Sequence, residues 1–379
     1  MKITAFTAVL ASALAMAPAA FAESTCDQFS PCYREGYCNV NAAFCLYGLC
    51  VPSKSYNSTS CWPAEGCASQ TVNFDKSNDI ISIYKYSGDA SQNAFLSIFD
   101  PDNTAINNGN LELSMKYNAA QKAGFGATAD ASHTIKYGKV TARVKTASIA
   151  KGVVSSFIIR DDNTGDEIDF EWVGLSPNQV QTNYYANNVI DYTKMVPYDL
   201  GVDTSAAYHD YEINWTADSI VWSVDGKPIR TLKKADTYNA ATNTYSFPSS
   251  EARIAFSIWD GGSGAQGTAD WAGYPTPWNA DTVYKMYVDS VSIQCNGSEE
   301  PSVSSKAEES SAVASSSELN SKPAAESSAA DASTGGATAT GAPATDAATA
   351  TGAPATDSPA GSAVSPIYSS TSVKKCIHR

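Results

Sequence analysis

Histidine is scarce in this chain. His133, His209 and His378 are the only three, and none stands beside a cysteine pair or an acidic cluster. That leaves little material for a Ser-His-Asp triad or a zinc site. Positive charge is also in short supply. There are 25 Lys and Arg against 39 Asp and Glu, a net charge of −14. A polyanion such as nucleic acid is not the partner of so acidic a surface. No apolar run beyond the N-terminal stretch is long enough to span a bilayer, so no transmembrane segment is expected. No long amphipathic helical pattern appears either, and no residue cluster calls for a metal or another cofactor.

The chain opens MKITAFTAVLASALAMAPAAFA. Lys2 gives a positive start, an apolar stretch follows, and Ala20-Phe21-Ala22 is a small-x-small cleavage site. Residues 1–22 are expected to be a secretory signal peptide, so the cysteines of the mature protein meet oxidising conditions. Seven cysteines are packed between residues 26 and 67. A segment of that size, residues 23–69, buries little core of its own and needs disulfides to hold it. Seven is odd; Cys295 would make the number even and leave Cys376 over.

Residues 70–296 show short segments rich in Val, Ile, Thr and Tyr, split by Gly, Asn, Asp and Pro. Strands are expected at Lys139–Thr146, Val153–Arg160, Val180–Tyr185, Tyr208–Trp215, Arg253–Trp259 and Lys285–Gln294. Asp225-Gly226 between two such segments predicts a hairpin, and Pro228 predicts that its second strand is at an edge. The fold class is all-β, a single two-sheet sandwich or jelly roll. After Asn296 the composition shifts to Ser, Ala, Thr and Pro, with ATATGAPATD at 337–346 and again at 348–357. Residues 297–379 are expected to be a disordered, low-complexity tail bearing O-linked sugar. Asn57, Asn214 and Asn296 each begin an N-glycosylation sequon. The final residues show no apolar tail of the kind a GPI signal requires.

The most informative run is Asp166-Glu167-Ile168-Asp169-Phe170-Glu171-Trp172. On a strand, Glu167, Asp169 and Glu171 share one face, and Ile168, Phe170 and Trp172 share the other. Like charges side by side are destabilising, so an undiluted row of three needs a reason. Crowded carboxylates push their pKa values apart, which lets one stay protonated while another is ionised. Glycoside hydrolysis by the retaining route uses such a pair. With about 3.3 Å rise per residue, Glu167 and Glu171 have α-carbons roughly 13 Å apart, so their side chains must converge over a bent strand.

Glu167-Ile-Asp-Phe-Glu171 in an all-β exported domain resembles glycoside hydrolase family 16. Val153–Arg160 before it, Val180-Gln-Thr-Asn-Tyr-Tyr185 after it, and Ser257-Ile-Trp-Asp-Gly-Gly262 with Trp271-Ala-Gly273 look like the fungal Crh group. The resemblance covers roughly residues 24 to 296. It implies a concanavalin-like jelly roll, secretion to the cell wall, and transfer of chitin onto β-glucan. It also implies Glu167 as nucleophile, Glu171 as general acid/base and Asp169 as helper. By the same resemblance Gln181, Asn183 and Tyr185 face the reacting sugar. Trp259, Trp271 and Trp278 are expected to wall the cleft, whereas Trp215 and Trp222 fall in regular strands and are expected in the core. The Cys-rich segment resembles a degenerate chitin-binding module, with Tyr37, Phe44 and Tyr47 as ring-stacking candidates; a cap on the sandwich is the alternative. Two other functions fit the same residues: plain endo-hydrolysis of chitin or β-glucan, and a non-catalytic carbohydrate-binding wall protein.

Overall fold

The computed structural model describes residues 26–279 and 281–297. The expected signal peptide, the low-complexity tail and Cys376 lie outside the described residues. Two antiparallel-rich sheets stack face to face. The first runs, in spatial order, Val196–Asp199, Gln179–Tyr185, Asp166–Val173, Val153–Asp161, Ala252–Asp260, Ala127–Ile135, Phe95–Phe99 and Ile80–Ser82. The second runs Lys227–Lys233, Ser219–Val224, His209–Trp215, Gly138–Lys145, Val283–Cys295, Asn110–Asn118 and Thr104–Asn107. Gln70–Val72 and Ala123–Phe125 add to it off that path. Among the described residues, no helix is long and apolar enough to cross a membrane.

The period-2 pattern decides which face each sheet buries. In the acidic strand, Asp166–Val173, the alternate residues Ile168, Phe170 and Trp172 are buried to within 1%. They meet Tyr211, Ile213, Trp215 and Trp222 of the opposite sheet, all in one core. Trp172 stands edge-on to Tyr211 at 4.6 Å between ring centres, and Phe170 does so at 5.5 Å. Each such aromatic contributes about 1.5–3 kcal/mol by leaving water. The indole Nε1 of Trp222 donates to the backbone oxygen of Asp169 at 3.0 Å. The far sheet therefore grips the acidic strand by its backbone, from behind its acids.

The hairpin forms as expected. Ser219–Val224 pairs with Lys227–Lys233, and Asp225 and Gly226 both take positive φ, 49° and 74°. The Pro228 strand is at the edge of its sheet, where a missing N–H breaks no ladder.

The Cys-rich segment is stapled by Cys26–Cys38, Cys32–Cys45 and Cys50–Cys61. Cys67 pairs with Cys295, the even count that the sequence suggested. The segment packs on the sandwich: Ala42, Ala43, Leu46 and Leu49 bury against Ile83, Tyr86, Leu96 and Ile98. Arg253 Nε donates to the Tyr47 backbone oxygen at 3.0 Å. Of the ring-stacking candidates, Tyr37 is exposed, while Phe44 packs against the buried residues.

Candidate active site

Strand register arranges the outward face in rows. Glu171 lies between Gln181 and Ser156, Asp169 between Asn183 and Ile158, and Glu167 between Tyr185 and Arg160. Directly paired residues point the same way, so the acids and the polar residues of Gln179–Tyr185 share one surface. One row further, Val173 and Val154 lead to Trp259.

A cavity of about 260 Å³ opens on this surface. Glu171, Gln181, Asn183, Tyr185, Trp259 and Trp271 line it, six of the residues expected from the sequence. Trp259 and Trp271 stack, with ring centres 5.9 Å apart and planes 28° apart. Trp271 comes from the helix Gln266–Ala272, and its Nε1 donates to Gln181 Oε1 at 2.8 Å. Asn183 Nδ2 donates to the Tyr185 hydroxyl oxygen at 2.9 Å, leaving the phenol proton for another acceptor. Tyr192, Met195, Gly267 and Thr268 complete the lining; Tyr192 and Met195 follow the Gln179–Tyr185 strand and carry no periodic signal that would have marked them.

Trp278 is elsewhere. It lines a separate cavity of about 610 Å³ with Tyr117, Lys122 and Thr276. Its ring packs on Tyr117 and Tyr284 of the other sheet, at 5.6 and 5.0 Å, and covers Gly124. A Trp in a Gly- and Pro-rich loop carries no direction in sequence; here those two tyrosines claim it. Trp215 and Trp222 are core residues, as expected. Of the sequon asparagines, Asn57 and Asn296 are exposed and Asn214 is half-buried in a strand.

The electrostatics separate the three acids. Asp169 is 2% exposed, and neither of its carboxylate oxygens meets a donor. Burial first, then the charges of Glu167 and Glu171, hold its pKa well above the ordinary value, while Arg160 opposes the rise. Once protonated, Asp169 gains a hydrogen bond to Glu167, which also favours the neutral form. The pKa of Glu171 is pushed up to about 8, by burial and then by the charge of Glu167. Glu167 pairs with Arg160, Nε to Oε2 at 3.6 Å. The site thus holds two carboxyls biased towards neutrality beside one with a cation. Tyr185 is kept in its neutral, donating form by burial and then by the three acids. Asp166, the fourth acid of the run, accepts from the backbone N–H groups of Asn187, Ser249 and Ser250 and ties down loops.

Residues 91–273 match the family of glycosyl hydrolases family 16. Crh-like protein 3 of Botryotinia fuckeliana is 39% identical over 76% of this chain and 64% of its own length. Congo red hypersensitive protein 2 of Saccharomyces cerevisiae is 34% identical over 72% of this chain and 58% of its own. The chain therefore spans less than two thirds of the length of these curated relatives. Among solved structures, the Crh5 transglycosylase in complex with NAG is 27% identical, with a TM-score of 0.51, covering 62% of this chain and 88% of that one. A cavity opening beside a row of three acids on the outer face of a jelly roll, joined to these likenesses, places the chain in glycosyl hydrolases family 16, among the Crh-like proteins.

Proposed function

We propose that this protein is an exported cell-wall transglycosidase of the retaining type, which cleaves chitin and passes the glycosyl unit to β-1,3/1,6-glucan. The observation that carries the reading is the division of charge among Glu167, Asp169 and Glu171 beside a cavity walled by Trp259 and Trp271. A carboxylate oxygen of Glu167 attacks the anomeric carbon. The glycosidic C–O bond breaks, and the leaving oxygen takes the proton of Glu171. The covalent ester then meets an acceptor hydroxyl. Glu171, now a carboxylate, removes that hydroxyl's proton; the acceptor oxygen bonds to the anomeric carbon, and the ester bond to Glu167 breaks. Asp169, neutral and donating to Glu167, holds the nucleophile's orientation and yields nothing to the sugar.

Stacked indoles suit the flat faces of a sugar chain, and Gln181, Asn183 and Tyr185 offer polar contacts to its hydroxyls. Transfer prevails over hydrolysis when an acceptor sugar is held where water would otherwise attack. The assay is a chitin oligosaccharide donor with a fluorescent laminarin-type acceptor. Longer labelled products are expected. Shortened donor with no elongated acceptor would leave plain hydrolysis standing. A Glu167→Gln variant with undiminished activity would remove the catalytic reading altogether.

A further inference from the structure

The register that sets Arg160 opposite Glu167 also sets it opposite Arg253 on the other side. Two adjacent arginines on neighbouring strands repel, and each needs its own compensation. Arg253 is 4% exposed; its Nε donates to the backbone oxygen of Tyr47 and its Nη1 to those of Ala131 and Ser132, while Nη2 is buried without a hydrogen-bond partner. It fastens the Cys-rich segment to the sheet. Arg160 is differently placed. Its guanidinium pairs tightly with Asp162 and lies 3.6 Å from Glu167.

We propose that Arg160 is a positioning residue for Glu167. The inference rests on the nucleophile reading of Glu167 given above. The side chains of Arg160 and Glu167 are 19% and 14% exposed, so the pair is partly buried. Ile158 and Ala255, on the outward face beside Asp169, are buried next to it. Partial burial lowers the local dielectric, so a charge pair at this distance acts more strongly than on an open surface. Arg160 sets a fixed cation against one end of the row of three acids. It stands by the acid that must attack, at the opposite end of the triplet from Glu171.

The charged and titratable groups facing Glu167 come from every neighbouring element. Asp169 and Glu171 lie on its own strand, Arg160 and Asp162 on one side, and Tyr185 on the other. Arg253 and Asp130 lie beyond Arg160, and Arg34 of the Cys-rich segment reaches Asp130 electrostatically. Of these, Arg160 is the partner in its ion pair.

The test compares Arg160→Met and Arg160→Lys, using the chitin oligosaccharide donor and the labelled acceptor. Arg160→Met should lower kcat about tenfold, the equivalent of roughly 1.4 kcal/mol, with KM within about twofold. Arg160→Lys should recover most of kcat. Wild-type kcat in Arg160→Met would overturn the proposal, and so would an Arg160→Lys variant as impaired as Arg160→Met. If Arg160→Met does not melt cooperatively, Arg160→Lys decides. Glu167→Gln separates the layers: if it stays active, the nucleophile reading is what fails; if it is dead while Arg160→Met is normal, only the role of Arg160 fails.

Discussion

Replacing Glu171 by Gln should make the protein more stable while abolishing its activity, and the gain should depend on pH. In the folded protein the Glu171 carboxyl titrates at about 8, against 4.5 for the ordinary group. Between those two values the folded chain keeps a proton that the unfolded chain has lost. Folding must take that proton up, so stability falls as pH rises through the window. At pH 7 the gap to the ordinary value is about 2.5 pH, equivalent to roughly 3 kcal/mol. The cavity is partly open, and water screens some of this, so a gain of about 2 kcal/mol is expected. For a domain of this size that raises Tm by roughly 4–8 °C. Gln is a neutral isostere of the protonated acid and does not carry the penalty. The assay is thermal unfolding of both proteins from pH 4 to pH 9. The curves should coincide near pH 4 and separate steadily up to about pH 8. A constant difference across the series, or a less stable variant at pH 8, would refute the account of strained carboxyls.

Two further outcomes are expected. Trp271→Phe keeps the stack on Trp259 but loses the donor to Gln181 Oε1; about 1 kcal/mol of binding should go, raising KM roughly fivefold with kcat little changed, and a KM indistinguishable from wild type would show that Trp271 does not touch the sugar chain through this arrangement. Removing the Cys67–Cys295 bridge, with its sequence separation of 228, should cost about 5 kcal/mol and at least 10 °C of Tm, since so long a loop closes at high entropy; an unchanged melting curve would mean that the paired strands at both ends already supply the constraint.

Much of the fold was legible because it depends on a period of two. The strand expected at Val153–Arg160 is Val153–Asp161, and that at Arg253–Trp259 is Ala252–Asp260. The acidic face and its aromatic back separated as the alternation requires, and Trp259 fell on the outward face for the same reason. What depends on distant contacts was not legible. Trp278 sits in a loop, and packing on Tyr117 and Tyr284 sent it to a different cavity. The three pairings within the Cys-rich segment follow from its local fold, not from counting. Arg160 was visible as a basic residue at a strand end, but its neighbour across the ladder appears only once register is known.

The strict alternation of the Asp166–Val173 strand has a consequence for how the chain finds its native pairing. A slip of one residue would exchange its faces. Ile168, Phe170 and Trp172 would turn outward, and Glu167, Asp169 and Glu171 would enter an apolar interior, a penalty of several kcal/mol for each ionised group. Misregistered intermediates are therefore the ones most strongly rejected during assembly. The same triplet that weakens the finished sheet proofreads its construction.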